Sequence, residues 1–150
     1  MATWNGAWSK AEATAYLEGQ TVPIRLACRT PSGGLWMLSL WYQYQDGTLA
    51  CATSADADVV SFLEADDGVA FEVSDNQPPY RGVRGAGTVT ISSDEEKTLL
   101  RSLLDRYVGG TDNDLGNQLL SADRKEVRLE IEPDRLYSWD FSDRMSDIDS

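Results

Sequence analysis

The apolar positions along the chain change period several times, and each change marks an element. Residues 9–18 place Ala11, Ala15 and Tyr16 at helical spacing between Ser9, a good N-cap, and Gly19, a stop signal. A short helix is predicted there. Residues 22–30 are strand-like and run into the turn Pro31-Ser32-Gly33-Gly34. The stretch Leu35-Trp36-Met37-Leu38-Ser39-Leu40-Trp41-Tyr42-Gln43-Tyr44 is a long β-prone run, apolar on both faces in its first half. Asp46-Gly47 is a hairpin turn and residues 48–53 return as the next strand, so a three-stranded meander is expected.

From Ser54 the period becomes helical again. Ser54 or Asp56 can cap a helix whose apolar positions are Val59, Val60, Phe62 and Leu63. Strands are expected over 69–73 and 82–91. Ser93-Asp94-Glu95-Glu96 then reads as a solvated helix start, with Leu99, Leu100, Leu103, Leu104 and Tyr107 on one face and Gly109-Gly110 as the stop. Residues 115–120 suit another helical turn. Residues 126–131 and 135–141 read as two closing strands, and the polar, acidic 142–150 as a flexible tail. This order predicts one α+β domain over 1–141. A six- or seven-stranded antiparallel barrel with a few flanking helices is the natural closure, because closing a sheet removes its unprotected edges.

Composition narrows the function classes. The chain has 150 residues and a net charge of −12, with 25 acidic against 13 basic residues and no histidine. Such a surface repels nucleic acid and anionic membranes, both of which need a basic footprint. The spread of carboxylates along the chain is read either as an acidic partner-binding face or, in preference, as a halophile's surface, hydrated in concentrated salt. The missing histidine removes histidine-dependent triads and the usual zinc sites, and no metal site is expected. No apolar run is long enough to span a membrane, and the N-terminus lacks a signal-peptide pattern, so a cytoplasmic protein is expected. Cys28 and Cys51 have no metal-ligand spacing. If their strands flank the run 35–45, the sulfurs lie about 9–10 Å apart. That separation predicts two buried, reduced thiols.

The chemistry concentrates in Pro78-Pro79-Tyr80-Arg81-Gly82-Val83-Arg84-Gly85-Ala86-Gly87. Arginines among glycines on a β-scaffold, in an acidic chain, point to a site for a small-molecule anion such as phosphate. Arg81 and Arg84 are three apart, so they face opposite sides of a regular strand unless a bulge intervenes. With these residues, Leu38-Ser39-Leu40-Trp41, then Ala52-Thr53-Ser54 before a helix, and Tyr137-Ser138-Trp139-Asp140, the chain resembles the flavin-binding split β-barrel family that includes pyridoxamine phosphate oxidases. The resemblance covers about residues 22–141.

The resemblance implies a flavin mononucleotide (FMN) ring lying against Ser39, Leu40 and Trp41. It implies a phosphate held at the loop Ala52, Thr53 and Ser54, with Arg81 or Arg84 as the cation. It further implies a homodimer with sites at the interface, each built by both chains. A deazaflavin is the alternative cofactor, and haem is disfavoured by the absence of histidine. The sequence departs from the family where members that hold FMN well carry lysine or arginine after the loop. Here stand Asp56 and Asp58, and either they point to solvent while Arg81, Arg84 or Arg25 serves the anion, or the site has lost FMN. The expected function is thus a flavin-dependent oxidoreductase acting on a small molecule. The alternative is a cofactor-free dimer of the same fold, serving as a binding or stress-related protein. No catalytic side chain is assigned, because a flavin carries its own hydride chemistry.

Overall fold

The computed structural model describes residues 2–121 and 124–145. Eight strands form one sheet: β1 (Thr3–Gly6), β2 (Ile24–Arg29), β3 (Leu35–Leu40), β4 (Gln43–Gln45), β5 (Thr48–Ser54), β6 (Gly68–Ser74), β7 (Arg81–Ser93) and β8 (Glu126–Asp140). The helices are α1 (Lys10–Gly19), α2 (Asp58–Ala65), α3 (Thr98–Val108), α4 (Asp114–Leu119) and the single turn α5 (Ser142–Met145). The sheet runs β3-β2-β6-β7-β8-β5-β4. All of these pairings are antiparallel, and β1 adds to β8 in parallel. The fold is the expected α+β arrangement of a split barrel, but the sheet has eight strands and its path ends at β3 and β4 without closing, and β1 is a strand the sequence pattern did not announce. Among the described residues no helix is long and apolar enough to cross a membrane.

Alternation along the strands builds the core. Ile24, Leu26 and Cys28 of β2, Phe71 and Val73 of β6, Val83 of β7 and Leu129 and Ile131 of β8 point inward and are buried. Leu49 and Cys51 of β5 join them, and α1 and α2 add Leu17, Val59 and Leu63. Ser9 caps α1 through a reciprocal pair with Glu12, as its position predicted. The helix has no basic residue in its last turn; Arg106 of α3 supplies one by donating to the carbonyls of Leu17, Glu18 and Gln20.

Several expectations are corrected. The meander is divided: β3 pairs with β2, and β4 pairs with β5 at the opposite end of the sheet. The chain leaves the ladder at Trp41 and Tyr42 because both rings have partners elsewhere. Trp41 stacks on Tyr107 at 5.2 Å, and Tyr42 is fully buried with its hydroxyl donating to the Leu17 carbonyl at 2.7 Å. Cys28 and Cys51 consequently do not flank one strand, since β6, β7 and β8 separate β2 from β5. Both thiols are buried and free, and burial pushes Cys51 up to about 12. The N-cap of α2 is Ala57, with no side-chain cap; the Ser54 hydroxyl instead accepts the Asp56 amide just upstream.

The opening of α3 also differs from a solvated start. Asp94 is buried and its carboxylate accepts the amides of Leu99 and Leu100. Lys97, in left-handed backbone, caps the helix while its buried ammonium donates to the carbonyls of Leu119 and Ser121. The two closing strands are one, β8, running through a register shift at which Ala86 faces Arg135 and Gly87 faces Pro133. Asp134 is therefore a bulge. Of the predicted tail, 142–145 form α5, and 146–150 lie outside the described residues.

Candidate functional site

The outer face of the sheet carries the cluster of greatest chemical interest. Register places Ser39, Arg25, Glu72, Arg84, Tyr137 and Asn5 in one cross-strand row spanning β3, β2, β6, β7, β8 and β1. The row two residues along holds Met37, Ala27, Ala70, Ala86 and Arg135. Between them the inward row of Leu38, Leu26, Phe71, Gly85 and Leu136 belongs to the core. Side chains alternate across a strand, so the first two rows share one face.

All of their residues but Ser39 line a groove of about 510 Å³. Its floor is the alanines Ala27, Ala70 and Ala86, small enough to let a flat molecule approach the sheet, and its polar wall is Arg25, Arg84, Arg135, Glu72 and Asn5. Met37 and Tyr137 supply apolar and aromatic edges. A second depression of about 340 Å³ continues the alanine floor toward Arg29 and Leu35.

The arginines differ in how they are held. Arg84 is exposed, and its guanidinium lies 4.8 Å from the Tyr137 ring and 5.2 Å from the Trp139 ring. Those stacks orient the fork without using up its donors. Arg25 is half-buried; its Nη2 donates to Asn76 Oδ1 at 3.5 Å, whereas its Nη1 is buried with no partner. A buried guanidinium nitrogen without an acceptor is costly, so it marks a position where an acceptor belongs. Glu72 sits between the two arginines in register but forms an ion pair with neither; its carboxylate accepts from the Ser74 hydroxyl at 2.9 Å.

Arg81 serves another purpose. Its Nε donates to Asp75 at 2.8 Å and its head lies 5.5 Å from the Tyr16 ring. Tyr16 also donates to Asp75, at 2.8 Å, and burial together with that carboxylate pushes its phenol far up. The hydrogen bond to Asp75 raises Arg81 in turn. Arg81 thus belongs to a pinned triad, while Arg84 faces the groove, so the two take opposite sides of β7.

The remaining predicted positions divide. Ser39 lies in the arginine row, beside Arg25. Leu40 and Trp41 follow it at the break in the strand, with Trp41 against Tyr107. Ala52, Thr53 and Ser54 pair instead with Arg128, Val127 and Glu126 of β8, and Thr53 is turned inward and buried. Asp58 is the exposed first residue of α2, and Asp56 is exposed as well. None of Ser39, Leu40, Trp41, Ala52, Thr53, Ser54, Asp58 and Arg81 lines the groove; Arg84 does. Sequence reasoning missed Glu72, Asn5 and Arg135. Alternation could have found Glu72 and the alanine floor, but Arg135 depends on the bulge, which no local signal announced.

No family model matches the sequence, and no curated protein matches it. Solved structures do. A conserved hypothetical protein from Mycobacterium tuberculosis is 26% identical, with 91% of this chain and 87% of that one covered at a TM-score of 0.73. An F420 reductase is 22% identical, with 81% and 94% covered and a TM-score of 0.70. An FAD-binding protein from Mesorhizobium loti is 20% identical, with 87% and 93% covered and a TM-score of 0.62. Across most of its length, therefore, this chain has the split β-barrel fold that those proteins share.

Proposed function

We propose that this protein binds a flavin-type cofactor, FMN or a deazaflavin, and acts as an oxidoreductase on a small molecule. The observation that carries the proposal is the unpartnered, buried Arg25 Nη1 in the wall of an alanine-floored groove. The donor set fits such a group. A planar ring needs a flat floor of small side chains, and its anionic appendage needs guanidinium forks. Resemblance in fold to a protein described as an F420 reductase and to one described as FAD-binding supports the reading.

In this reading Arg84 and Arg25 hold the anionic part of the cofactor. Ser39 stands just beyond the groove at the end of the arginine row, while Leu40 packs on the core and Trp41 stacks on Tyr107. Ala52, Thr53, Ser54 and Asp58 shape the opposite end of the barrel, with Asp56 and Asp58 turned to solvent, and Arg81 keeps Asp75 and Tyr16 in place. The bound ring supplies the hydride chemistry. The protein's own part is to orient the ring, to neutralise its charge and to exclude water.

Water exclusion calls for a second copy. Leu35 and Met37 of β3 are 84% and 64% exposed on the outer face, beside the groove. A homodimer that buries them covers the groove with a second chain, in keeping with a self-complementary interface. The dense carboxylates we read as adaptation to concentrated salt.

The test is an absorption spectrum of the protein purified in molar salt, followed by titration with FMN and then with a deazaflavin. Flavin-like bands or saturable uptake, weakened at least tenfold by Arg84→Met, is the expected result. A colourless protein that takes up neither cofactor would sink the proposal and favour a cofactor-free binding protein.

A further inference from the structure

Three guanidiniums face one groove in a chain of net charge −12. Arg25 and Arg84 share a row; Arg135 stands one outward row further along, diagonal to Arg84 on the adjacent strand. Such diagonal neighbours lie about 7–8 Å apart. The placement of Arg135 depends on the Asp134 bulge. Before it, Leu129 and Ile131 point inward; after it, Leu136 and Ser138 do. In a strand that kept regular alternation past Ile131, Arg135 would be aimed at the core; the bulge takes up Asp134 and leaves Arg135 on the outer face.

The groove's other charges are few. Glu72 is its acid, held by Ser74. Arg29, at the outer depression, is already paired with Asp66 at 3.7 Å. Arg135 takes part in none of the ion pairs among the described residues, and Arg84 only stacks on rings.

We infer that the groove reads two anionic groups on one small-molecule ligand, Arg84 with Arg25 binding one and Arg135 the other. A single carboxylate or phosphate occupies one fork and leaves the second unsatisfied; a ligand with two such groups uses both. Glu72, between Arg25 and Arg84, sets an upper limit on the negative charge admitted. The inference rests on the groove being the ligand site proposed above, and it adds the ligand's charge class.

Isothermal titration at fixed low chloride tests it, with inorganic phosphate, inorganic pyrophosphate and succinate as probes. One two-centre probe is expected to bind at least tenfold tighter than phosphate, and which of the two does so separates a phosphoryl ligand from a dicarboxylate. Arg135→Met, at an exposed position, should bring that affinity down to the level of phosphate. Glu72→Gln should tighten both two-centre probes, and Arg29→Met should leave the preference intact. Equal binding of all probes, an unaffected Arg135→Met variant, or an equal loss in Arg29→Met would overturn the inference. Parallel titration with FMN and a deazaflavin separates it from the cofactor proposal. Cofactor uptake without a two-centre preference overturns only the inference. A preference that needs Arg135 without any cofactor uptake overturns only the proposal.

Discussion

Gly85 occupies a position with no room for a side chain. A Cβ there would meet the Arg135 carbonyl at 2.3 Å and Phe71 Cζ at 2.8 Å. Gly85→Ala should therefore cost about 1–3 kcal/mol, seen as a lower urea midpoint at unchanged slope. The same close approach holds β6, β7 and β8 tightly beneath the groove, so the variant should also weaken ligand binding. Cys51 provides a pH test. Its thiol has an ordinary value of 9.0 when unfolded and about 12 when buried. Between those values the unfolded chain has lost a proton that the folded chain keeps. Stability from this group is then fully present below pH 9 and declines as pH rises toward 12. Native protein at pH 8 should leave the Cys51 thiol unreactive toward a thiol reagent, and urea should expose it. At this scale much was legible. Free buried thiols, the Ser9 cap and the opposed faces of Arg81 and Arg84 follow from residue type and alternation. Buried Asp94 and Lys97 were not legible, since only the tertiary contacts of α3 and α4 turn a solvated-looking start into a packed one.

Among the elements, β8 offers the sharpest experiment. Deleting Asp134 lets Arg135 follow Pro133 in an unbroken ladder, so Leu129, Ile131 and Leu136 keep the inner face and Arg135 and Tyr137 the outer one. Unfolding in a urea titration should stay cooperative at unchanged slope, because the core set is kept and only the local bend and twist of the bulge are lost. Helix α2 offers a second case. Its N-cap Ala57 has extended backbone suited to a capping side chain but provides none. Ala57→Ser should add about 0.5–1 kcal/mol, measurable as a raised midpoint. Element identity was largely readable because period and turn chemistry agree, as at Asp46-Gly47, where both residues have positive φ. The break in the run 35–45 was not readable, because the partners of Trp41 and Tyr42 lie on α3 and α1, far along the chain. Continuity of β8 through Pro133 was hidden for a similar reason: only β7, beside it, holds the strand together across the bulge.

For the whole molecule, charge and association set the expectations. At net charge −12 the compact state repels itself, and about 1 M salt shortens the screening length to about 3 Å. The thermal midpoint should rise steadily with sodium chloride up to that concentration; a flat or falling trend would mean the carboxylates are locally compensated. Light scattering should give twice the chain mass, and Met37→Arg, which puts a charge on the exposed face of β3, should return it to one. The pairing of β1 with β8 has a mechanical meaning. These strands run parallel, with Thr3 beside Arg135 and Gly6 beside Ser138. Tension applied through Thr3 and Asp140 pulls them past each other along their length, loading every bond of that ladder at once instead of peeling the bonds singly. The short β1 thereby acts as a shear clasp, and a pulled chain should yield in one abrupt, high-force event.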